Sequence, residues 1–241
     1  MKFTLKRIIP IAILTAAMAL QLRAADPLFV KTGELDIVAL LPPPPAAGSD
    51  EAKIEIETVL KLQASRTPAE VDRAKAEAKL TPAAFAPVLG ESFTAANLPA
   101  VFALLTDAAA DSKLLSDAAK VHFARKRPQF VDDRVTPAIT GEIDASYPSG
   151  HATRGMLWAG ILSEIAPDKT DLLVQRGEEI GWDRVIAGVH APTDIYAGRV
   201  VGQALFQNMK SNPDFAARLA KAKAEYEAFK LKQPAAAAMP K

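Results

Sequence analysis

From Ser49 onward, no useful stretch of this chain alternates apolar and polar residues with the period of two that a half-buried strand needs. Apolar residues recur instead at helical spacing. The clearest run is Val101, Leu104, Leu105, Ala108, Leu114, Leu115, Ala118 and Val121. The chain is therefore expected to be all-α, a single-domain bundle of about seven helices. Start and stop signals divide it. Ser49-Asp50 can cap a helix running to about Gln63. Thr67-Pro68-Ala69-Glu70 is a capping box with proline at the first helical position, opening a helix to about Leu80. Thr81-Pro82 starts a shorter one. Asn97 is the expected cap of the long helix, which Pro128 stops. Residues 128–148, with Pro137, Gly141 and Pro148, read as a loop. Further helices are predicted from about Ser149 to Ile165, Lys169 to Val185 and Pro192 to Met209, with a last one from Pro213. Gly188 interrupts the pattern.

The two ends read differently. Residues 1–24 have the layout of a removable export signal: Lys2, Lys6 and Arg7, then an uncharged apolar stretch from Ile8 to Leu20, then Ala24-Ala25. The apolar stretch is short for a membrane span. A periplasmic or secreted location is expected, with no membrane attachment once the signal is gone. Residues 25–48 form an extended Pro-rich arm, because Pro42 to Pro45 cannot sit inside a helix. The apolar run Ile37 to Leu41 predicts that this arm packs onto the body or onto a neighbouring subunit, which leaves a homo-oligomer open. Residues 49–233 form the helical domain, and the Ala- and Pro-rich residues 234–241 a frayed tail.

Composition narrows the partners. Losing Lys2, Lys6, Arg7 and Arg23 with the signal takes the formal net charge from +1 to −3. Such a surface has no general pull on nucleic acid, and any anion affinity must be local. The chain has no cysteine, which excludes disulfides, thiol nucleophiles and thiolate metal sites.

Three short segments supply a local anion site. Lys120 and Arg127 are seven apart, on one helix face if the helix continues between them. They could grip a phosphate, with arginine meeting two oxygens at once, or simply form a cationic helix end. Ser149 and Gly150 precede an apolar helix, whose first N–H groups bind anions readily and whose glycine admits close approach. His151 follows in the first turn. Arg184 and His190 flank Gly188, and Asp194 lies four residues past His190. A carboxylate at that spacing can hold one imidazole nitrogen as N–H and leave the other free to attack, or the two can form a structural pair. His151, His190 and Asp194 could in principle ligate zinc. Lys120, Arg127 and Arg184 would crowd such a dication and suit an anion better. Neither a glycine-flanked serine elbow nor a nucleotide-binding glycine loop is present.

Read together as Lys-x6-Arg-Pro, Pro-Ser-Gly-His and Arg-x5-His-x3-Asp, the segments resemble the type 2 phosphatidic acid phosphatase superfamily. Ser146-Tyr147-Pro148-Ser149-Gly150-His151, Ala187-Gly188-Val189-His190 and the Leu-Leu-Pro-Pro-Pro-Pro arm are similar to the bacterial class A non-specific acid phosphatases. The resemblance spans about Leu40 to Gln207. It implies an exported, metal-independent and cofactor-free acid phosphatase acting on a broad range of small phosphomonoesters through a phosphohistidine. In that scheme His190 is the nucleophile, Asp194 orients it and His151 is the general acid. Lys120, Arg127, Arg184, Ser149 and Gly150 hold the phosphoryl oxygens, and residues near 129–147 shape the leaving-group pocket. Two positions depart from the family pattern: Asp183 stands where serine is usual, and Ala152 where threonine is frequent. The rival readings are a vanadate-dependent haloperoxidase-like enzyme, whose pocket shares these motifs, and a catalytically weakened phosphate-binding periplasmic protein.

Overall fold

A computed structural model describes residues 27–31 and 33–232. The expected signal segment and the tail lie outside them. Nine α-helices follow in order among the described residues: α1 Ile37–Leu40, α2 Asp50–Ser65, α3 Pro68–Ala76, α4 Ala86–Leu89, α5 Pro99–Phe123, α6 Gly150–Ile165, α7 Thr170–Ile186, α8 Pro192–Met209 and α9 Pro213–Lys232. Seven of them have nine residues or more, and no strand occurs among the described residues.

Helix α6 is the axis of the fold. It packs against α5, α7, α8 and α9, and it is apolar nearly all round, with Met156, Leu157, Trp158, Ile161, Leu162 and Ile165 all buried. A helix buried on every side can carry few polar residues, so those it does carry at its N-terminus stand out. Missing side chains let its neighbours approach. A Cβ on Gly177 of α7 would lie 2.7 Å from the Gly155 carbonyl of α6, and one on Gly198 of α8 would lie 2.6 Å from the Ser149 carbonyl. These close crossings bring the starts of α6 and α8 and the end of α7 to one place. Ala152, the departure from threonine, sits fully buried there, close against Gly181 and Gly198.

Several local expectations hold. Ser49 caps α2 through the Ala52 N–H at 3.2 Å, and the Thr67–Glu70 capping box closes in both directions. Others are corrected. Helix α3 ends at Ala76 rather than Leu80, and the segment from Thr81 divides into a 3-10 turn and α4. Asn97 does not cap α5. Glu225 of α9 does so, its two carboxylate oxygens each accepting from Ala100 and Val101 N–H at 3.0 Å. That long-range cap has no local sequence signature. Helix α5 stops at Phe123, four residues before the expected limit, because Ala124 turns left-handed at φ 47° and closes onto the Lys120 carbonyl. Lys120 and Arg127 therefore do not share one helix.

The arm packs onto the body. Phe29, Val30, Ile37 and Leu41 are buried, and the buried Asp111 carboxylate of α5 accepts the N–H groups of Leu28, Phe29 and Val30. The arm is not extended throughout, since Asp36 caps the single turn of α1. Beyond it, the Pro42 carbonyl accepts the Tyr147 hydroxyl at 2.7 Å, tying the Pro-rich stretch to the segment just before α6.

Candidate active site

The second half of α5, the loop before α6, the start of α6 and the short link between α7 and α8 line a cavity of about 270 Å³. Lys120, Arg127, Gly150, His151 and His190 line it, together with Glu142, Asp144 and Arg154. The three sequence segments converge, although α5 ends early. Arg127 occupies an extended position before Pro128 and still reaches the same space as Lys120. Ser149 stays behind the wall: it is fully buried, and its Oγ accepts the Ala152 N–H at 3.4 Å as the cap of α6.

His190 is held on both ring nitrogens. Nδ1 lies 3.1 Å from Asp194 Oδ2, and Nε2 lies 3.1 Å from Arg127 Nη1. Guanidinium nitrogens only donate. Nε2 is therefore the acceptor, with its lone pair toward Arg127, and Nδ1–H donates to Asp194. Burial is the largest cause that pushes the His190 pKa down, to about 4, with Arg127 and Arg184 adding to it and Asp194 opposing. Burial by itself would raise the Asp194 carboxyl. Its hydrogen bond and charge interaction with His190, and the charge of Arg125, outweigh that and hold it lowered.

Asp194 is itself fixed by residues that motif reading did not single out. Its Oδ2 also accepts the Ala191 N–H at 2.9 Å, and its Oδ1 accepts Arg125 Nη1 at 2.6 Å. Arg125 bridges on to the buried Glu55 of α2, whose carboxylate also takes the Thr193 N–H at 2.7 Å. Arg125, Lys126 and Arg127 are adjacent in the sequence, and nothing in that run separates the arginine facing Asp194 from the one facing the cavity.

His151 Nε2 lies 3.0 Å from the Glu77 carbonyl. A carbonyl only accepts, so Nε2 carries hydrogen and Nδ1 is the nitrogen that titrates. Burial, followed by Arg184 and Arg154, pushes the His151 pKa well below its usual value. His151, His190 and Asp194 do not converge as ligands, and no group of three His, Asp or Glu side chains is placed to hold a metal among the described residues.

Two carboxylates lie on the cationic cradle. Asp144 pairs with Lys120 and with Arg127, the latter at 2.5 Å, and Glu142 pairs with Arg127 at 2.9 Å and with Arg184. Together they carry the charge of one phosphate dianion. Arg184 still has two buried donors, Nε and Nη1, without any partner. A buried guanidinium with free N–H groups, paired with the cavity-lining Glu142, can receive further oxygen atoms. Asp183, next to Arg184, points elsewhere: it makes a two-pronged ion pair with Arg73 of α3.

The PAP2 superfamily profile matches residues 98–211. The non-specific acid phosphatase of Providencia stuartii is 35% identical over 81% of this chain and 83% of its own length. That of Salmonella typhimurium is 31% identical over 77% and 78%. The chain belongs to the PAP2 superfamily, among its non-specific acid phosphatases. Among solved structures, a bacterial vanadium-dependent iodoperoxidase superposes with a TM-score of 0.56 at 20% identity, covering 73% of this chain and 54% of that one. A transmembrane PAP2-type phosphatidylglycerolphosphate phosphatase from Bacillus subtilis gives 0.51 at 19% identity, covering 72% and 89%. At these identities the likeness is one of fold. No helix among the described residues is long and apolar enough to cross a membrane.

Proposed function

We propose that this enzyme is an exported acid phosphatase that hydrolyses a range of small phosphomonoesters through a phosphohistidine, with no metal or cofactor taking part. Lys120, Arg127 and Arg184 hold the phosphoryl oxygens, with the N–H groups of Gly150 and His151 at the start of α6, while Ser149, whose N–H is donated to the Asp194 carbonyl, only caps that helix. These fixed cations stabilise the charge that spreads over the oxygens as the bond to the leaving group breaks. The His190 Nε2 lone pair attacks phosphorus while the bond to the leaving oxygen breaks. That oxygen takes the proton from Nδ1 of His151. Asp194 receives the Nδ1–H of His190 and stabilises the positive charge that the ring acquires. In the second half, a water attacks phosphorus, His151 takes its proton, and the His190–phosphorus bond breaks to restore the neutral ring and free phosphate. Residues 1–24 supply the export signal in this reading.

One observation supports this more than any other. The unprotonated Nε2 of His190 and the unpartnered donors of Arg184 belong to the same cationic cradle. The direct test is rapid acid-free quenching during turnover of an aryl phosphate. The expected result is an acid-labile phosphate on the wild-type chain that is absent from a folded His190→Ala variant. That variant should lose several orders of magnitude in turnover. Near-normal hydrolysis by the folded variant would remove His190 from the mechanism.

A further inference from the structure

Arg154 has no role in holding the phosphoryl group or in the two proton transfers, yet it lines the same cavity. It stands on α6 three residues past His151 and four past Gly150, so the three share one helix face. Its Nε donates to the Gly150 carbonyl at 3.2 Å, which fixes the guanidinium beside the cradle. The carboxylates nearby are all engaged elsewhere. Glu142 pairs with Arg127 and Arg184, Asp144 with Lys120 and Arg127, and Asp117 with Lys113. Arg154 is thus a cation without an ion pair among the described residues. Burial pushes its pKa down, with Glu142 and Asp117 opposing.

A charge kept out of bulk water without a partner is costly unless a ligand supplies one. The phosphoryl dianion already has three cations. What lies next to Arg154, beside the acid His151, is the space for the leaving group. The lining is polar elsewhere as well: it includes Ser112 and Ser116 of α5, and the Ser116 Oγ is buried without a hydrogen-bond partner.

We propose that Arg154 is a specificity-determining residue that receives a second oxyanion, a carboxylate or a phosphate, on the leaving group. The preferred substrates are then phosphoesters of hydroxyacids or of compounds already carrying another phosphate. This rests on the phosphatase reading above and adds a substrate class to it.

Matched substrates test it. The rate constant kcat/KM is measured for phosphoglycerate against glycerol phosphate, and for a hexose bisphosphate against the hexose monophosphate. The wild type should favour the member with the extra oxyanion in at least one pair. Which pair responds tells a carboxylate from a phosphate. In Arg154→Gln the ratio within that pair should fall about tenfold, the worth of one charge-assisted hydrogen bond, and Arg154→Lys should restore much of it. Should Arg154→Gln fail to fold, Arg154→Lys and Arg154→Met are compared instead, and the same ratio must drop only in the uncharged variant. Ratios unmoved in both pairs, or a uniform fall for charged and neutral leaving groups alike, would overturn the proposal. A wild type that hydrolyses neither member of either pair, nor any aryl phosphate, would instead overturn the phosphatase reading.

Discussion

Asp183 and Arg73 form a two-pronged ion pair across 110 residues of chain, with Nε and Nη2 donating at 2.7 and 2.6 Å. The pair joins α3 to α7 and turns the Asp183 carboxylate away from the cradle that its neighbour Arg184 faces. A carboxylate about 4 Å from a phosphate dianion would cost on the order of 4 kcal/mol per charge at an effective dielectric of about 20. The observed geometry avoids that repulsion. Asp183→Ser should therefore leave inhibition by phosphate and vanadate within about threefold of the wild type. It should lower stability by about 1–2 kcal/mol, since Arg73 is partly exposed and can turn to water. Inhibition tightened a hundredfold would show that Asp183 acts on the bound anion after all.

Arg125 fixes the far side of Asp194, so its loss acts on His190 indirectly. Arg125→Lys keeps the charge but cannot bridge Asp194 and Glu55 with one planar group. The expected outcome is a fall in kcat of about 10- to 100-fold with a small change in KM, as for other residues that orient a reacting group. A change confined to KM would indicate a role in substrate binding instead.

Glu142 and Asp144 must leave the cationic cradle before a phosphate can enter it. Burial alone would raise the Asp144 carboxyl, but Lys120 and Arg127 outweigh it and bring its pKa to about 2. Asp144 is thus charged throughout the acid range and competes with substrate there. Glu142→Gln combined with Asp144→Asn should tighten inhibition by inorganic phosphate at least tenfold, about 1.4 kcal/mol. Weaker inhibition would mean that these carboxylates organise the cradle more than they block it.

The two histidines set opposite limbs of the pH profile. His190 must be neutral to attack, and its pKa of about 4 places the acid limb of kcat/KM near that value. His151 must be protonated to donate, and its pKa is pushed well below the usual 6.5, which puts the alkaline limb on the acid side of that value. Bound phosphate dianion favours both protonated rings, so the kcat profile should lie at higher pH than kcat/KM. Activity that keeps rising through alkaline pH would contradict His151 as the acid.

His190 also ties stability to pH. Its pKa in the folded chain is about 4, against about 6.5 in an unfolded one. Between these values the unfolded chain binds more protons. The contribution of the neutral buried ring is complete above about pH 6.5 and is lost as pH falls toward 4. The melting temperature of the wild type should therefore fall more between pH 7 and 5 than that of His190→Asn, which lacks this ring's contribution and keeps only that of the buried His151. Parallel falls would place the His190 pKa near its ordinary value.

The all-α class followed from the sequence because helical spacing and capping chemistry are local, and both Ser49 and the Thr67–Glu70 box act within a few residues of themselves. The candidate site residues were also legible, since Pro-Ser-Gly-His and the His190–Asp194 spacing each occupy only a few consecutive residues at the start of a helix. Only the tertiary structure decided what lies between those segments. Helix α5 ends at Phe123, and Arg125 turns to carboxylates 69 and 70 residues away. Glu225 caps a helix 125 residues earlier, and Arg73 neutralises Asp183. The loop acids Glu142 and Asp144 settle on cations from three different elements. A carboxylate or guanidinium is satisfied by whichever partner the packing of apolar helices brings near, and that partner leaves no trace in the local pattern. The sequence therefore determined which chemical groups the site holds. The packing of α5, α7 and α8 around α6 decided which of them hold one another, and it left two Arg184 donors without a partner and Arg154 without an ion pair among the described residues.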